Sequence, residues 1–301
     1  MPGEFTLIER FVRCFDVDAA PRGPGDDCAI VAPSRFASCV TTDTLVEDVH
    51  FTRRGFSFED IGHKALAVNL SDLAAMGARA DWFTVALTLP REVQSFHVVA
   101  LGRGMSKLAR VHGARLIGGN FSSGAEISIT ITASGILDGK KPLLRSNARV
   151  GDRIFVSGTL GSSAGGLLPN APTALLRAQR RPHPHLEFAR LARAFINAAI
   201  DVSDGLLQDL GHITRASGVG AELDSERIPL SGALLDFAGP QQALTLATTG
   251  GEDYVLLFTA PARHAERLRA LGAFEIGHIV RGSGVRLDGK AITGRTGFTH
   301  R

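Results

Sequence analysis

FASCVTTDTLVEDVHFTRRGFSFEDIGHKALAVNLSDLAAMGA, residues 36–78, carries two different periodicities in succession. The first eleven residues are rich in β-branched types and run into acids, which reads as a strand. FEDIGHKALAVNLSDLAAMGA (58–78) reads as a helix: acids open it, Ile61, Ala65, Val68 and Ala75 recur on one side, and Gly77 stands at its end. The alternation continues outward. DWFTVALTLP is a strand stopped by Pro90, REVQSFHVVALGRGMSKLARVHG a helix, and ARLIGGNF and EISITITASGIL are two strands separated by SSGA. A seam is expected near LLRSNARVGD (143–152), where polar and Gly residues precede the strand RIFVSG. This divides the chain into domains 1–143 and 144–301. In the second half RRPHPH (180–185) is a Pro-broken loop, and later elements are GVGAELD, YVLLFTAP and FEIGHIV as strands and ARHAERLRALG as a helix. The mixture places the fold in α/β in the broad sense, including α+β.

Composition narrows the function classes. At 301 residues, the chain is long enough for two domains, each with its own core. The 33 Lys+Arg nearly balance 30 Asp+Glu and no long basic run exists, which argues against a nucleic-acid partner. No stretch approaches the roughly 20 apolar residues that span a bilayer. The start, MPGEFTLIERF, puts Glu4 and Glu9 where a signal peptide needs a basic and then an apolar region, so a cytoplasmic protein is expected. Three cysteines, Cys14, Cys28 and Cys39, show neither C-x-x-C nor His at metal spacing. The P-loop and the protein-kinase H-R-D and D-F-G motifs are absent, so any nucleotide is handled by another design.

Acids and glycines then cluster at element ends. GPGDDCAI puts Asp27 on a tight turn entering a strand, although an Asp-rich turn can be only a turn. In TTDTLVEDVHF, Asp43 interrupts a strand, with Thr41 on its face and Thr42 on the other, and His50 follows near the end. Asp72 sits mid-helix among leucines with Asn69 beside it, so it is solvated, paired or bound to metal. AIDVSDGLLQDLG brings Asp201, Ser203 and Asp204 to a strand end and a helix start, where Ser203 or Asp204 would serve as N-cap. TTGGEDYVLLF sets Glu252 after two glycines. Carboxylates without matching Cys or His suit Mg²⁺ bridged to phosphates. The residues therefore read as metal-assisted phosphoryl chemistry on a nucleotide.

The ordered series GEFTLIERF, GPGDDCAI, TTDTLVEDVHF, KALAVNLSDLAAMGA, RLIGGN, LLRSNARVGD, VSGTLGSSAGGL, IDVSDGLLQDLGHI and TGGEDYVLLF resembles the thiamine-monophosphate kinase family, over nearly the whole chain. The resemblance implies the two-domain architecture of the aminoimidazole ribonucleotide synthetase superfamily. An N-terminal mixed-sheet domain would bind ATP and Mg²⁺ and form a homodimer, and a C-terminal α/β domain would complete the active site. It implies transfer from ATP to thiamine monophosphate, with several Mg²⁺ ions and no protein nucleophile. By motif, Asp27, Thr42, Asp43, Asp72, Asp201 and Asp204 match metal positions. Thr41, Gly119, Arg145 and Ser203 match nucleotide contacts, Asn120 joins them as a cofactor-binding position, and His50, Glu252 and Phe298 match positions at the thiamine phosphate. Arg145 and metal-bound Asp43 would stabilise charge. Two departures stand out. Where the family has G-G-D-T-T-x-G, this chain has GGNFSSG (118–124), so Asn120 replaces a metal-binding Asp and Phe121 a small hydroxyl. His185 replaces the Arg of R-P-x-P-R. These leave two other readings in play: a paralogue with another phosphate acceptor, and a nucleotide binder with impaired catalysis.

Overall fold

The computed structural model describes residues 4–16, 28–292 and 296–298. The chain divides into two compact units, residues 1–73 with 78–140, and 74–77 with 141–301.

In the first unit the elements are α1 (Glu4–Val12), β1 (Ser38–Val46), α2 (Phe58–Ala75), β2 (Arg79–Leu89), α3 (Ser95–His112), β3 (Arg115–Ser123) and β4 (Ser128–Ile136). The sheet order is β1-β4-β2-β3, with β2 and β3 parallel and the other pairs antiparallel. Strand alternation decides its two faces. Leu45, Ile129, Ile131, Phe83, Val85 and Leu87 are buried on one face, together with Leu66, Leu70 and Leu73 of α2 and Leu101 and Met105 of α3. The other face carries hydroxyls, paired as Thr42–Thr132 at 3.1 Å, Thr44–Thr130 at 2.8 Å and Thr88–Ser122 at 3.1 Å. Helix α2 opens on a reciprocal cap, since Ser57 Oγ accepts from Asp60 N while Asp60 Oδ2 accepts from Ser57 N. Helices α2 and α3 meet backbone to backbone: a Cβ on Gly104 would lie 2.0 Å from the Glu59 carbonyl oxygen.

The second unit contains β5 (Arg153–Val156), α4 (Ser162–Gly166), α5 (Thr173–Arg180), α6 (Leu186–Ala192), β6 (Ala198–Asp201), α7 (Leu206–Ser217), β7 (Gly220–Leu223), α8 (Gly232–Thr249), β8 (Leu256–Ala260), α9 (Ala265–Ala270), β9 (Phe274–Val280), β10 (Gly284–Leu287) and β11 (Lys290–Ala291). Its seven strands run β11-β10-β7-β9-β5-β8-β6. Ile154, Val156, Ile200, Leu206, Leu210, Ile213, Leu257 and Ile276 form a buried core, with the apolar stripe of α7 laid against strand residues. Both units mix helices with mixed or antiparallel sheets, as the patterning predicts. Among the described residues no helix is long and apolar enough to cross a membrane.

Candidate active site

In the first unit Thr41, Asp43 and Asp72 converge. Thr41 Oγ1 donates to Asp72 Oδ2 at 2.5 Å, which ties β1 to the middle of α2. Asp43, two residues along β1, has its pKa raised to about 6, first by burial and then by the charge and hydrogen bond of Asp72. Two carboxylates side by side in a half-dry setting repel, and a divalent cation would remove both costs. The donor set therefore fits Mg²⁺. Asn69, fully buried one turn before Asp72, donates to the Ala65 carbonyl and keeps its amide inside α2.

Thr42 faces the other way. Its hydroxyl donates to the Ile131 carbonyl at 3.0 Å and meets Thr132, so the side chain is turned from the carboxylate pair. His50 Nδ1 accepts from Val46 N at 3.0 Å, which leaves the ring proton on Nε2 in the neutral imidazole. Lys64, a fully buried α2 residue that the motif reading did not single out, donates to the His50 carbonyl at 3.1 Å and holds that loop against the helix. Its signal was a charged residue amid the apolar positions of a buried helix.

Gly119 and Asn120 lie on β3, across the sheet from β1. The register aligns Asp43, Ile131, Val85 and Gly119 in one row and Thr44, Thr130, Ala86 and Asn120 in the next. Adjacent rows face opposite sides, so Asn120 projects onto the hydroxyl-lined face rather than toward Asp43 and Asp72. Three strand spacings separate the two edges, about 14 Å. Gly119 is required by backbone approach, since a Cβ there would sit 2.1 Å from the Val85 carbonyl oxygen. Phe121 shares the face of Leu87 and packs edge-on against Phe11 of α1, ring centroids 5.6 Å apart. The bulky departure from the family pattern thus serves as an anchor for α1. Asp27 lies outside the described residues.

In the second unit the loop after β6 is the organising element. Asp201 ends β6 and is 4% exposed. The N-cap position of α7 is Gly205, without a side-chain cap, so Ser203 and Asp204 do not cap the helix as expected. Asp209, inside the first turn of α7, does the work from the helix side. Its Oδ2 accepts from the N–H groups of Ser203, Asp204 and Gly205 at 3.1, 3.1 and 3.0 Å. Capping arguments look for an oxygen before the helix, which is why this residue escaped notice. Burial lifts Asp209 to about 6 against the opposing pull of those N–H groups.

That loop gathers the remaining candidates. Glu252 N donates to the Ser203 carbonyl, and Tyr254 N to the Val202 carbonyl, both at 2.8 Å. Glu252 and Tyr254 hold φ of 67° and 52°, an uncommon conformation for side-chain-bearing residues. Phe298 N donates to the Asp204 carbonyl at 2.9 Å, while Gln208 Nε2 bridges Asp204 Oδ2 and the Phe298 carbonyl. Arg145 is exposed on a short 3₁₀ turn whose carbonyl accepts from Ser217 Oγ. It contributes to the lowered pKa of His212, after burial and Arg215. Asp204, Asp209 and His212 lie close enough to suggest a metal triad. Arg215 can only donate, so its contact at 3.1 Å falls on the acceptor nitrogen of neutral His212.

Two buried groups support this surface. Asp253 accepts from Gly161 N at 2.6 Å and Ser163 N at 3.2 Å, and burial raises it to about 7. GSSAG (161–165) has the G-x-S-x-G spacing of hydrolase nucleophiles. Ser163 is 1% exposed within α4, however, so its hydroxyl meets no substrate surface. His185 packs inside the unit near Gly158 and is held neutral, its pKa pushed down to about 4 by burial and by His183. A buried neutral imidazole does not reproduce the charge of the Arg it replaces.

The two halves define a class. Residues 25–137 match the N-terminal domain of AIR synthase related proteins, and residues 149–290 the C-terminal domain. Closer relatives narrow it. Thiamine-monophosphate kinase of Haemophilus influenzae is 39% identical over 278 residues, 88% of this chain and 84% of the relative. The crystal structure of thiamine-monophosphate kinase from Stenotrophomonas maltophilia is 41% identical, with TM-score 0.88 over 96% of this chain and 98% of that one. AaThiL complexed with AMPPCP and TMP is 33% identical, with TM-score 0.81 over 97% and 96%. The chain belongs to the thiamine-monophosphate kinase family.

Proposed function

We infer that this chain transfers the γ-phosphoryl group of ATP to thiamine monophosphate, giving thiamine diphosphate and ADP. The observation that carries the reading within a family of such kinases is the Asp43–Asp72 carboxylate pair, braced by Thr41, which suits a divalent cation. An oxygen of the acceptor phosphate attacks the γ-phosphorus in line as the bond to the ADP oxygen breaks. That oxygen is already anionic, so no general base is needed and no side chain need become covalently modified. Bound Mg²⁺, held by Asp43 and Asp72 in the first unit and by Asp201 and Asp204 in the second, with Asp27 completing the set by motif, would neutralise the converging phosphate charge. The chain's own groups position the reactants. The Arg145 guanidinium offers fork-shaped donors to phosphate oxygens, and Ser203, Thr41 and Gly119 bind nucleotide. His50, with its proton on Nε2, donates to the acceptor, while Glu252 and Phe298 hold the thiamine side. Thr42 enters the metal set through its main chain. A cytoplasmic homodimer completes the reading. The hydroxyl-lined sheet face, with Asn120 at its edge, is the surface a second copy would cover, and the three thiols suit a reducing compartment.

Coupled ADP release with thiamine monophosphate and Mg²⁺ tests the reading, with thiamine and other phosphate monoesters as controls. Turnover on thiamine monophosphate is expected. Nucleotide binding without it would favour another acceptor or a non-catalytic role. Asp43→Asn supplies a two-sided check. A carboxylate with a raised pKa costs stability once ionised, above about 6, so the amide should stabilise the metal-free protein at pH 7 by up to about 3 kcal/mol. The same change should lower kcat at least about a hundredfold. Near-normal turnover in a stabilised variant would sink the metal assignment.

A further inference from the structure

We propose that the groove between α1 and α3 binds a small anion with adjoining phosphate groups and does so without a metal ion. The sequence hides this feature, because its cations are scattered over a hundred residues and become neighbours only in the fold. Arg103, Lys107 and Arg110 recur at spacings of four and three on one face of α3, and Arg10 and Arg13 face them from α1 and the turn that follows it. The groove has a volume of about 480 Å³, in the range of small-molecule sites. Its floor is buried Ser106 with half-buried Cys14 and Val99.

Charge makes it a site rather than a crevice. Glu9 approaches Arg13 at 3.8 Å and Glu59 pairs with Lys107 at 2.6 Å. Arg10 donates to Ser95 Oγ and Arg110 to the Cys14 carbonyl, both neutral acceptors. Among the described residues Arg10, Arg103 and Arg110 have no carboxylate partner. Among the described residues, five cations against two carboxylates leave a surplus of three positive charges around one concavity. Four of the five are Arg, whose planar forks grip phosphate oxygens two at a time. From Arg103 to Arg110 the helix advances about 10 Å, so the cations line one short groove rather than an extended track. The contrast with the carboxylate sites is chemical: those attract phosphate only once loaded with cations, whereas the groove is cationic by itself.

The experiment is calorimetric titration of the full chain with inorganic diphosphate in EDTA. One saturable, salt-weakened binding event is expected. The doubly substituted Arg103→Ala/Lys107→Ala protein should bind at least tenfold more weakly while keeping its melting temperature and its turnover with Mg²⁺ and ATP, since both side chains are exposed and outside the proposed catalytic set. Asp43→Asn should bind diphosphate in EDTA as the wild type does, which separates the groove from the carboxylate pair. Absence of saturable binding in EDTA, or equal binding by the double variant, overturns the proposal. Tighter binding of a single-stranded oligonucleotide or of anionic phospholipid vesicles than of diphosphate overturns the small-anion assignment.

Discussion

Asp209 collects three backbone N–H groups on one oxygen, and the loop it holds carries Ser203 and Asp204. Geometry rather than charge should be its contribution, since burial already disfavours its ionised form. Asp209→Ala would orphan three donors in a buried turn and should cost about 2–3 kcal/mol in chemical denaturation. The displaced loop should also lower kcat/KM for ATP at least about tenfold. Asp209→Asn offers an amide oxygen to the same donors and should restore most of both losses. An Asn variant as impaired as the Ala variant would show that the negative charge itself is needed. At this scale motif spacing named the residues but not their directions. Thr42 and Asn120 are recognisable in the sequence, yet which sheet face each occupies follows only from register.

At the level of elements, local patterning reaches far. The helix expected over 58–78 runs Phe58–Ala75, and the strand FEIGHIV coincides with β9. What patterning does not contain is strand order, because the parallel pairing of β2 with β3 and the insertion of β4 between β1 and β2 are long-range choices. The attachment of α1 is another such choice. Phe121, Phe11, Phe15 and Phe83 form a chain of ring contacts with centroids 5.2–5.9 Å apart, running from β3 through α1 to β2. Aromatic contacts of this kind add to plain area burial. Phe121→Thr, which restores the hydroxyl of the family pattern, should therefore cost about 1–3 kcal/mol and expose α1 to limited proteolysis. Turnover should change less than stability, because the ring is taken up by its contact with Phe11 of α1. Loss of nucleotide binding with stability intact would instead place Phe121 at the ligand.

For the whole molecule, 33 basic and 30 acidic residues average out a segregated pattern, with carboxylates at the β1–α2 and β6–α7 sites and cations between α1 and α3. Buried titratable groups add a second opposition, within the second unit. His185, neutral in the fold with a pKa near 4, stabilises the native state above its unfolded value of 6.5, and this contribution is lost as pH falls toward 4. Asp253 and Asp209, raised to about 7 and about 6, act in the opposite sense: their ionisation costs stability at neutral pH, and the cost is relieved on acidification. The two acids outweigh the single imidazole, so the metal-free wild type should gain stability between pH 7 and 4, and by less than the acids alone would give. His185→Gln removes one arm of the balance, so its stability should rise relative to wild type as pH falls, by up to about 3 kcal/mol at pH 4. Urea denaturation at several pH values measures that difference directly. Parallel profiles for the two proteins would mean that His185 is protonated inside the fold, with a buried counter-charge in place of the neutral packing seen here.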